Sequence, residues 1–297
     1  MQRRPRRFNR DKSGYLFVMP SFLAMMVFAG IPIMMTIPLA FTDWNLISGL
    51  SGIQFVGFRH FVRMWSDPWF IASLRNTVVF AVSTVAALIL FGLILAAIVD
   101  REVFSGDLFR VMIFTPYIVN IATVAVIWRV LLSSRGPITG FLTRLGMDPV
   151  PVFLASPQWA LPSLVFISVW NWIGYVVIVY VAAMRAVPQE LFEAAEIDGA
   201  NRLQQLLAIK LPLISPTTMF LTTTMIINSF RSFALVQIMT QGGPARSTSV
   251  LVFYLYRAGF AEYRFGYSSA MSIMLFLIIL VITVAQWYGQ QRWVVYR

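Results

Sequence analysis

The sequence predicts an all-α integral membrane protein built on six transmembrane helices. Three observations lead there. Of the 297 residues, 59% are hydrophobic and only 12% charged, and a soluble domain carries about a quarter charged residues. The apolar residues gather into six runs, each long enough to cross a hydrocarbon core, which takes about 20 residues of helix. Lys and Arg concentrate in alternate segments between those runs and are densest before the first. The surplus apolar surface therefore faces lipid.

The runs occupy about residues 15–41, 72–99, 111–132, 159–184, 212–239 and 267–288. The first is too long for the apolar core of a cleavable signal, which spans about 7–15 residues, and reads as a retained membrane helix. Pro20, Pro32, Pro38, Pro116, Pro162 and Pro216 lie within these runs. Each removes one backbone hydrogen bond, and the resulting kinks serve either packing or a central pathway.

Charge sets the orientation. With the N-terminus inside, the inner segments 1–14, 100–110, 185–211 and 289–297 hold thirteen Lys and Arg, while the longer outer loops hold eight. Basic excess marks the cytoplasmic side, so both ends lie inside. The domain layout is then a basic cytoplasmic N-terminus over 1–14, a six-helix membrane domain over 15–288 and a cytoplasmic tail over 289–297.

Several function classes are excluded or disfavoured. There is no cysteine, and His60 is the single histidine, so no disulfide, thiolate or His-cluster metal site is expected. The net charge of +11 reflects membrane flanks, with six basic residues in the first twelve positions, rather than nucleic-acid binding. No G-x-x-x-x-G-K-[ST] phosphate loop exists around Lys12 or Lys210, the two lysines, so the chain is not itself an ATPase. All twelve acidic residues fall in loops or at span edges, which disfavours a proton-coupled secondary transporter. A membrane-embedded hydrolase lacks both H-E-x-x-H and G-x-S-x-G.

The loop from Val187 is different in character. It reads Val-Pro-Gln-Glu-Leu-Phe-Glu-Ala-Ala-Glu-Ile-Asp-Gly-Ala-Asn and continues to Ala-Ile-Lys-Leu-Pro at 208–212. Pro188 suits a helix start, and Gln189, Glu190 and Glu193 place polar and acidic groups where the helix dipole favours them. Gly199 ends this helix at a point where positive φ is cheap. A second helical stretch over about 202–209 leads to Pro212 and the fifth span. Two short cytoplasmic helices form either a plain amphipathic connector or a knob for a soluble partner to grip.

Glu193-Ala194-Ala195, then Gly199, then Ile209, Leu211 and Pro212 resemble the EAA loop of bacterial binding-protein-dependent ABC importer permeases. The resemblance extends over nearly the whole chain. It includes Phe41-Thr42-Asp43-Trp44, Asn76-Thr77, Gly242-Gly243-Pro244 with Ser247-Thr248, and Phe265-Gly266-Tyr267. These look like the sugar-uptake branch, and the maltose-type first permease in particular. Phe58-Arg59-His60-Phe61 departs from that pattern. The resemblance implies an ABC importer permease bundle in the bacterial cytoplasmic (inner) membrane. Its implied partners are a second homologous permease, two ATP-binding subunits that hold ATP and magnesium, and an extracytoplasmic solute-binding protein. The chain itself is expected to bind no cofactor. Glu193 and Gly199 are implied to be central where the loop docks on the ATPase.

The pathway residues follow partly from chemistry. Spans four and five carry aromatic, amide and hydroxyl groups that suit either sugar binding or helix packing. Counting along the resemblance places Trp172, Tyr175, Ser229 and Ser232 at lining positions, with Met225 where a small polar residue is usual. Arg231 lies within the outer half of the expected fifth span, where a charge costs about 2.5–3.5 kcal/mol. It snorkels to the interface, pairs with the second permease, or meets an anionic cargo such as an acidic sugar or glycerol 3-phosphate.

Overall fold

The computed structural model describes residues 10–100 and 107–291. The basic segment before Arg10 and the tail after Gln291 lie outside the described residues. In chain order the helices are α1 (Arg10–Met25), α2 (Ile31–Leu39), α3 (Arg59–Met64), α4 (Pro68–Val99), α5 (Asp107–Ile118), α6 (Ile121–Leu131), α7 (Pro137–Arg144) and α8 (Pro157–Arg185). There follow α9 (Glu190–Ile197), α10 (Arg202–Gln205), α11 (Leu211–Leu213), α12 (Ser215–Phe230), α13 (Phe233–Met239), α14 (Leu251–Tyr256) and α15 (Phe265–Gln290). Two-residue strands β1 (Thr42–Asp43) and β2 (Gln54–Phe55) pair antiparallel, Thr42 opposite Phe55. The chain divides into two units, one of residues 1–63 and 257–274, the other of 64–256 and 275–297.

In the first unit, α1 and α2 form one apolar run over Gly14–Leu39, interrupted by a π-helical turn at Met26–Gly30. Pro32 explains the turn. It has no N–H for the carbonyl four residues back and its ring crowds that carbonyl, so the helix widens there. The Ile31 N–H donates instead to Met26, five residues back. After the strands, the Phe41–Trp44 segment meets the start of α15. The Gly266 N–H donates to the Trp44 carbonyl at 3.3 Å. A Cβ at Gly266 would fall 1.8 Å from the Thr42 carbonyl oxygen, so only glycine fits. His60, the departure from the family pattern, is buried with Nε2 3.0 Å from that same oxygen.

The second unit is organised around α4, which packs on α8, α12 and α14, while α5 lies on α8 and α6 on α13. Lipid is as apolar as these side chains, so helix association depends on close approach and polar bonds rather than on water exclusion. Gly92 and Gly174 provide the approach. A Cβ at Gly92 would stand 2.5 Å from Val176 Cγ1, and one at Gly174 the same distance from the Ile113 carbonyl oxygen. Polar bonds join α4 to the 246–251 turn. The Asn76 amide donates to the carbonyls of Arg246 (2.7 Å) and Ser249 (3.0 Å), and the Leu251 N–H donates to Thr77 Oγ1 at 2.7 Å.

Among the described residues, four helices are long and apolar enough to cross a membrane: Gly14–Leu39, Pro68–Val99, Pro157–Arg185 and Phe265–Gln290. Two bent pairs raise the number to six. These pairs add bends that the sequence did not show to two of the expected spans. The run 111–132 is not one straight helix but turns by 107° between Ile118 and Ile121. Asn120 causes the break: its side chain accepts from the Ala122 N–H at 2.8 Å and caps α6 in place of continuing α5. The run 212–239 is also divided. Helical chain up to Leu213 meets α12 at 65°, and α12 stops at Phe230, before α13 begins at Phe233.

Candidate functional site

The loop between α8 and α12 carries the seven residues expected to form a docking knob, and its turns are closed by local bonds. After α9 the Gly199 N–H donates to Glu196 at 3.0 Å and the Ala200 N–H to Ala195 at 2.9 Å. This is a Schellman closure, with Gly199 at φ +80° in the left-handed position. Asn201 and Gln204 then cap α10 reciprocally: each side chain accepts from the other's N–H, at 3.0 and 2.7 Å. Glu193, Ala194 and Gly199 are exposed, and Ala195 is half-buried. Ile209 and Leu211 are half-buried, Leu211 against the core around Tyr180 and Met184, while Pro212 is exposed. The helix bulges into a π turn at Leu206–Lys210, just before Pro212, as it does before Pro32. One edge of the motif thus anchors the loop, and the other is free to meet a partner.

The five residues expected to line a pathway divide. Trp172, Arg231 and Ser232 line a cleft of about 260 Å³ together with Ile121, Asn228 and Phe233. Tyr175 and Ser229 are not on its wall. Ser229 is buried, and Tyr175 stands behind Trp172, ring centroids 6.1 Å apart. Met225 is also buried, in the core beside α4 and α8. Tyr117, which sequence reasoning passed over, lies 5.5 Å from Trp172 and 5.2 Å from Tyr175 and completes an aromatic trio. Its signal was faint: one aromatic residue after Pro116 in a run that reads as a plain span.

Arg231 is not inside a helix, as the sequence led us to expect, but at the break between α12 and α13. Its N–H donates to the Asn228 carbonyl at 3.1 Å, and its carbonyl accepts from Phe233 at 2.8 Å. Its side chain is exposed, and among the described residues nothing accepts a hydrogen bond from its guanidinium. Arg129 differs: its Nη1 donates to the Ile238 carbonyl at 3.2 Å, in the last turn of α13, where a cation is favoured. One N–H of the Asn228 amide donates to the Thr224 carbonyl at 2.9 Å, which leaves its oxygen as an acceptor and one N–H as a donor. The cleft therefore offers an indole face, a hydroxyl, an amide oxygen and a cation, and no acidic residue lines it.

Beside Trp172 in the sequence, Asn171 is buried in α8 and its Nδ2 donates to the Pro116 carbonyl at 2.6 Å. In an unbroken helix that carbonyl would receive the N–H of residue 120. Asn171 thus repairs the backbone at the bend, which membrane-embedded chain requires.

The helical bundle, its bent pairs and the loop define a multi-pass membrane permease. The chain belongs to the family described as "Binding-protein-dependent transport system inner membrane component", which matches residues 88–294. It is similar to the lactose transport system permease protein LacF of Rhizobium radiobacter, 32% identical over 289 residues, 95% of each chain. It is equally similar, at 32% over 286 residues and 95% of each chain, to the sn-glycerol-3-phosphate transport system permease protein UgpA of Pectobacterium atrosepticum. Among solved structures, a chain of a bacterial ABC transporter involved in the import of the acidic polysaccharide alginate superposes with a TM-score of 0.81. It is 26% identical, and the match covers 95% of this chain and 96% of that one. Such a chain is a transport permease and not an enzyme: ATP hydrolysis in these importers resides in separate subunits.

Proposed function

We propose that this chain is one of two permeases of an ATP-driven importer in a bacterial inner membrane. Together they form the pathway for a carbohydrate delivered by a solute-binding protein. The observation that carries the reading is the cleft in which Trp172, Asn228, Arg231 and Ser232 converge. An indole face stacks on the C–H surface of a sugar, and the amide oxygen and hydroxyl pair with its hydroxyls. The cleft is smaller than the roughly 300–1,000 Å³ of pockets that enclose a ligand, as suits one wall of a pathway whose other wall is a second permease. ATP and magnesium reside in two ATP-binding subunits that grip the loop through Glu193 and Gly199. Binding-protein docking and ATP binding open the pathway outward, and hydrolysis resets it inward. Both chain ends lie on the cytoplasmic side.

A second reading has its own observation. The unpaired Arg231 guanidinium suits a cargo with a carboxylate or phosphate, bound through charge-assisted bonds. UgpA and the alginate importer, by their descriptions, handle such molecules, whereas LacF handles a neutral sugar. The test is ATP hydrolysis by the lipid-reconstituted complex with its binding protein, against lactose, maltose, glycerol 3-phosphate and alginate oligosaccharide. Stimulation by a member of this panel is expected. Silence across the panel, with the complex intact, refutes the carbohydrate assignment. Stimulation by anionic members alone places Arg231 in the pathway; stimulation by neutral sugars alone removes it.

A further inference from the structure

The end of α4 holds a carboxylate where a helix does not want one. Asp100 is the C-cap of that 32-residue helix, and a negative charge there opposes the macrodipole. Two cations offset it. Lys210 Nζ donates to Asp100 Oδ2 at 2.5 Å, and Arg185 Nε lies 3.6 Å from Oδ1. The Asp100 side chain is only 12% exposed, so these are not freely solvated surface pairs, whose worth is small.

The positions of the two cations matter more than their number. Arg185 is the last residue of α8, where the chain enters the docking loop. Lys210 closes the π turn, where the chain leaves it. One carboxylate therefore gathers both ends of the loop onto α4. The Lys210 ammonium also lies 5.2 Å from the centre of the Phe192 ring, in α9, one residue before Glu193. The chain of contacts runs from the docking helix through Phe192 and Lys210 to Asp100 and α4. A cleft of about 270 Å³ lined by Phe192, Arg202, Lys210 and Asp100 lies along it.

We propose that Asp100 is a positioning residue for energy coupling, the clasp that makes α4 move with the docking loop. The inference rests on the permease reading given above. Without the clasp, α9 hangs from α8 and α12 alone, and a push on the loop reaches α4 only through side-chain packing. With it, the loop and the ends of three spans form one lever.

This chain has no cysteine of its own, so it can be labelled before assembly at introduced sites alone. Spin labels are placed on Val82→Cys in α4 and Leu203→Cys in α10, both exposed positions. The full complex with its ATP-binding subunits is reconstituted in lipid and measured without nucleotide and after trapping with ATP and vanadate. In the parent chain the distance distribution stays narrow in both states. In Asp100→Asn it broadens or shifts only on trapping, while the KM for ATP is unchanged. Uptake per ATP hydrolysed, measured with whichever panel carbohydrate the parent transports, falls by about fivefold or more, the low end of the coupling usual between two sites. The conservative variant Asp100→Glu, which keeps a carboxylate facing both Lys210 and Arg185, retains both readouts. An Asp100→Asn complex that retains its ATP-binding subunits and keeps the parent distribution after trapping overturns the proposal. So does an Asp100→Glu complex no better than Asp100→Asn. Failure of the permease reading looks different: the parent chain then retains no ATP-binding subunit at all.

Discussion

Gly199 offers the cleanest separation of backbone conformation from contact. It sits at φ +80°, and a Cβ built there meets no atom within 4 Å. Alanine therefore introduces no clash within this chain, and its whole penalty is the left-handed backbone, about 1–2 kcal/mol. Asparagine tolerates that region better, so its penalty is smaller. Valine, branched at Cβ, is the worst of the three. If docking requires the turn as folded, a penalty of about 1.4 kcal/mol weakens retention of the ATP-binding subunit by up to tenfold. The assay is affinity of the purified ATP-binding subunit for the permease in nanodiscs, over Gly199→Asn, Gly199→Ala and Gly199→Val. The expected order of affinity is Gly, Asn, Ala, Val. If asparagine binds worse than alanine, side-chain volume and not φ sets the affinity. The partner would then press directly on the glycine, and the conformational argument would be wrong.

Other outcomes follow from packing and from the cleft. Gly174→Ala should lower stability by about 1–3 kcal/mol, since the obstacle is the Ile113 carbonyl and backbone yields less readily than a side-chain tip; thermal unfolding in detergent checks it. Asn171→Leu should cost about 1–3 kcal/mol by leaving the Pro116 carbonyl without its donor, and a stability equal to the parent would dismiss the repair role. Arg231→Gln should reduce transport of an anionic carbohydrate by about tenfold or more while sparing neutral ones, as loss of a charge-assisted hydrogen bond predicts; equal loss for both would assign Arg231 to assembly with the second permease.

Much of the scaffold was legible because hydropathy reports what lipid demands. The apolar runs and the short helices of the 186–211 loop follow from composition and from residues such as Pro188 and Gly199 whose backbone preferences are local. The 107° bend was not legible. Val119 and Ile121 are as apolar as their neighbours, and hydropathy carries no direction. The bend depends on Asn120 capping a new helix and on Asn171 supplying a donor from 55 residues away. The break at Arg231 contains neither proline nor glycine. Its one local signal was the density of Asn228, Ser229 and Ser232, side chains that compete for backbone groups. Asp100 read as an ordinary acid at a span edge, because the lysine that gives it a role is 110 positions further on.

The two breaks and the polar cleft are best understood as one feature. The 16 residues of α12 span about 24 Å, less than the roughly 30 Å of a hydrocarbon core. If α12 runs close to the membrane normal, its end at Phe230 falls within the bilayer. Irregular backbone at that depth is tolerated where it is covered by protein or lines a cavity. Here Phe233 satisfies the Arg231 carbonyl, Asn120 covers the Ala122 N–H, and Asn171 covers Pro116. Ile121, at the first break, and Arg231 and Ser232, at the second, stand on the wall of the same cleft. Straight helices over both runs would present only side chains to one another and would close as Leu, Ile and Phe do elsewhere in this unit. Breaking them brings polar backbone, a hydroxyl and a guanidinium to one place, which is what the proposed binding of a hydroxylated cargo partway across an otherwise apolar layer requires.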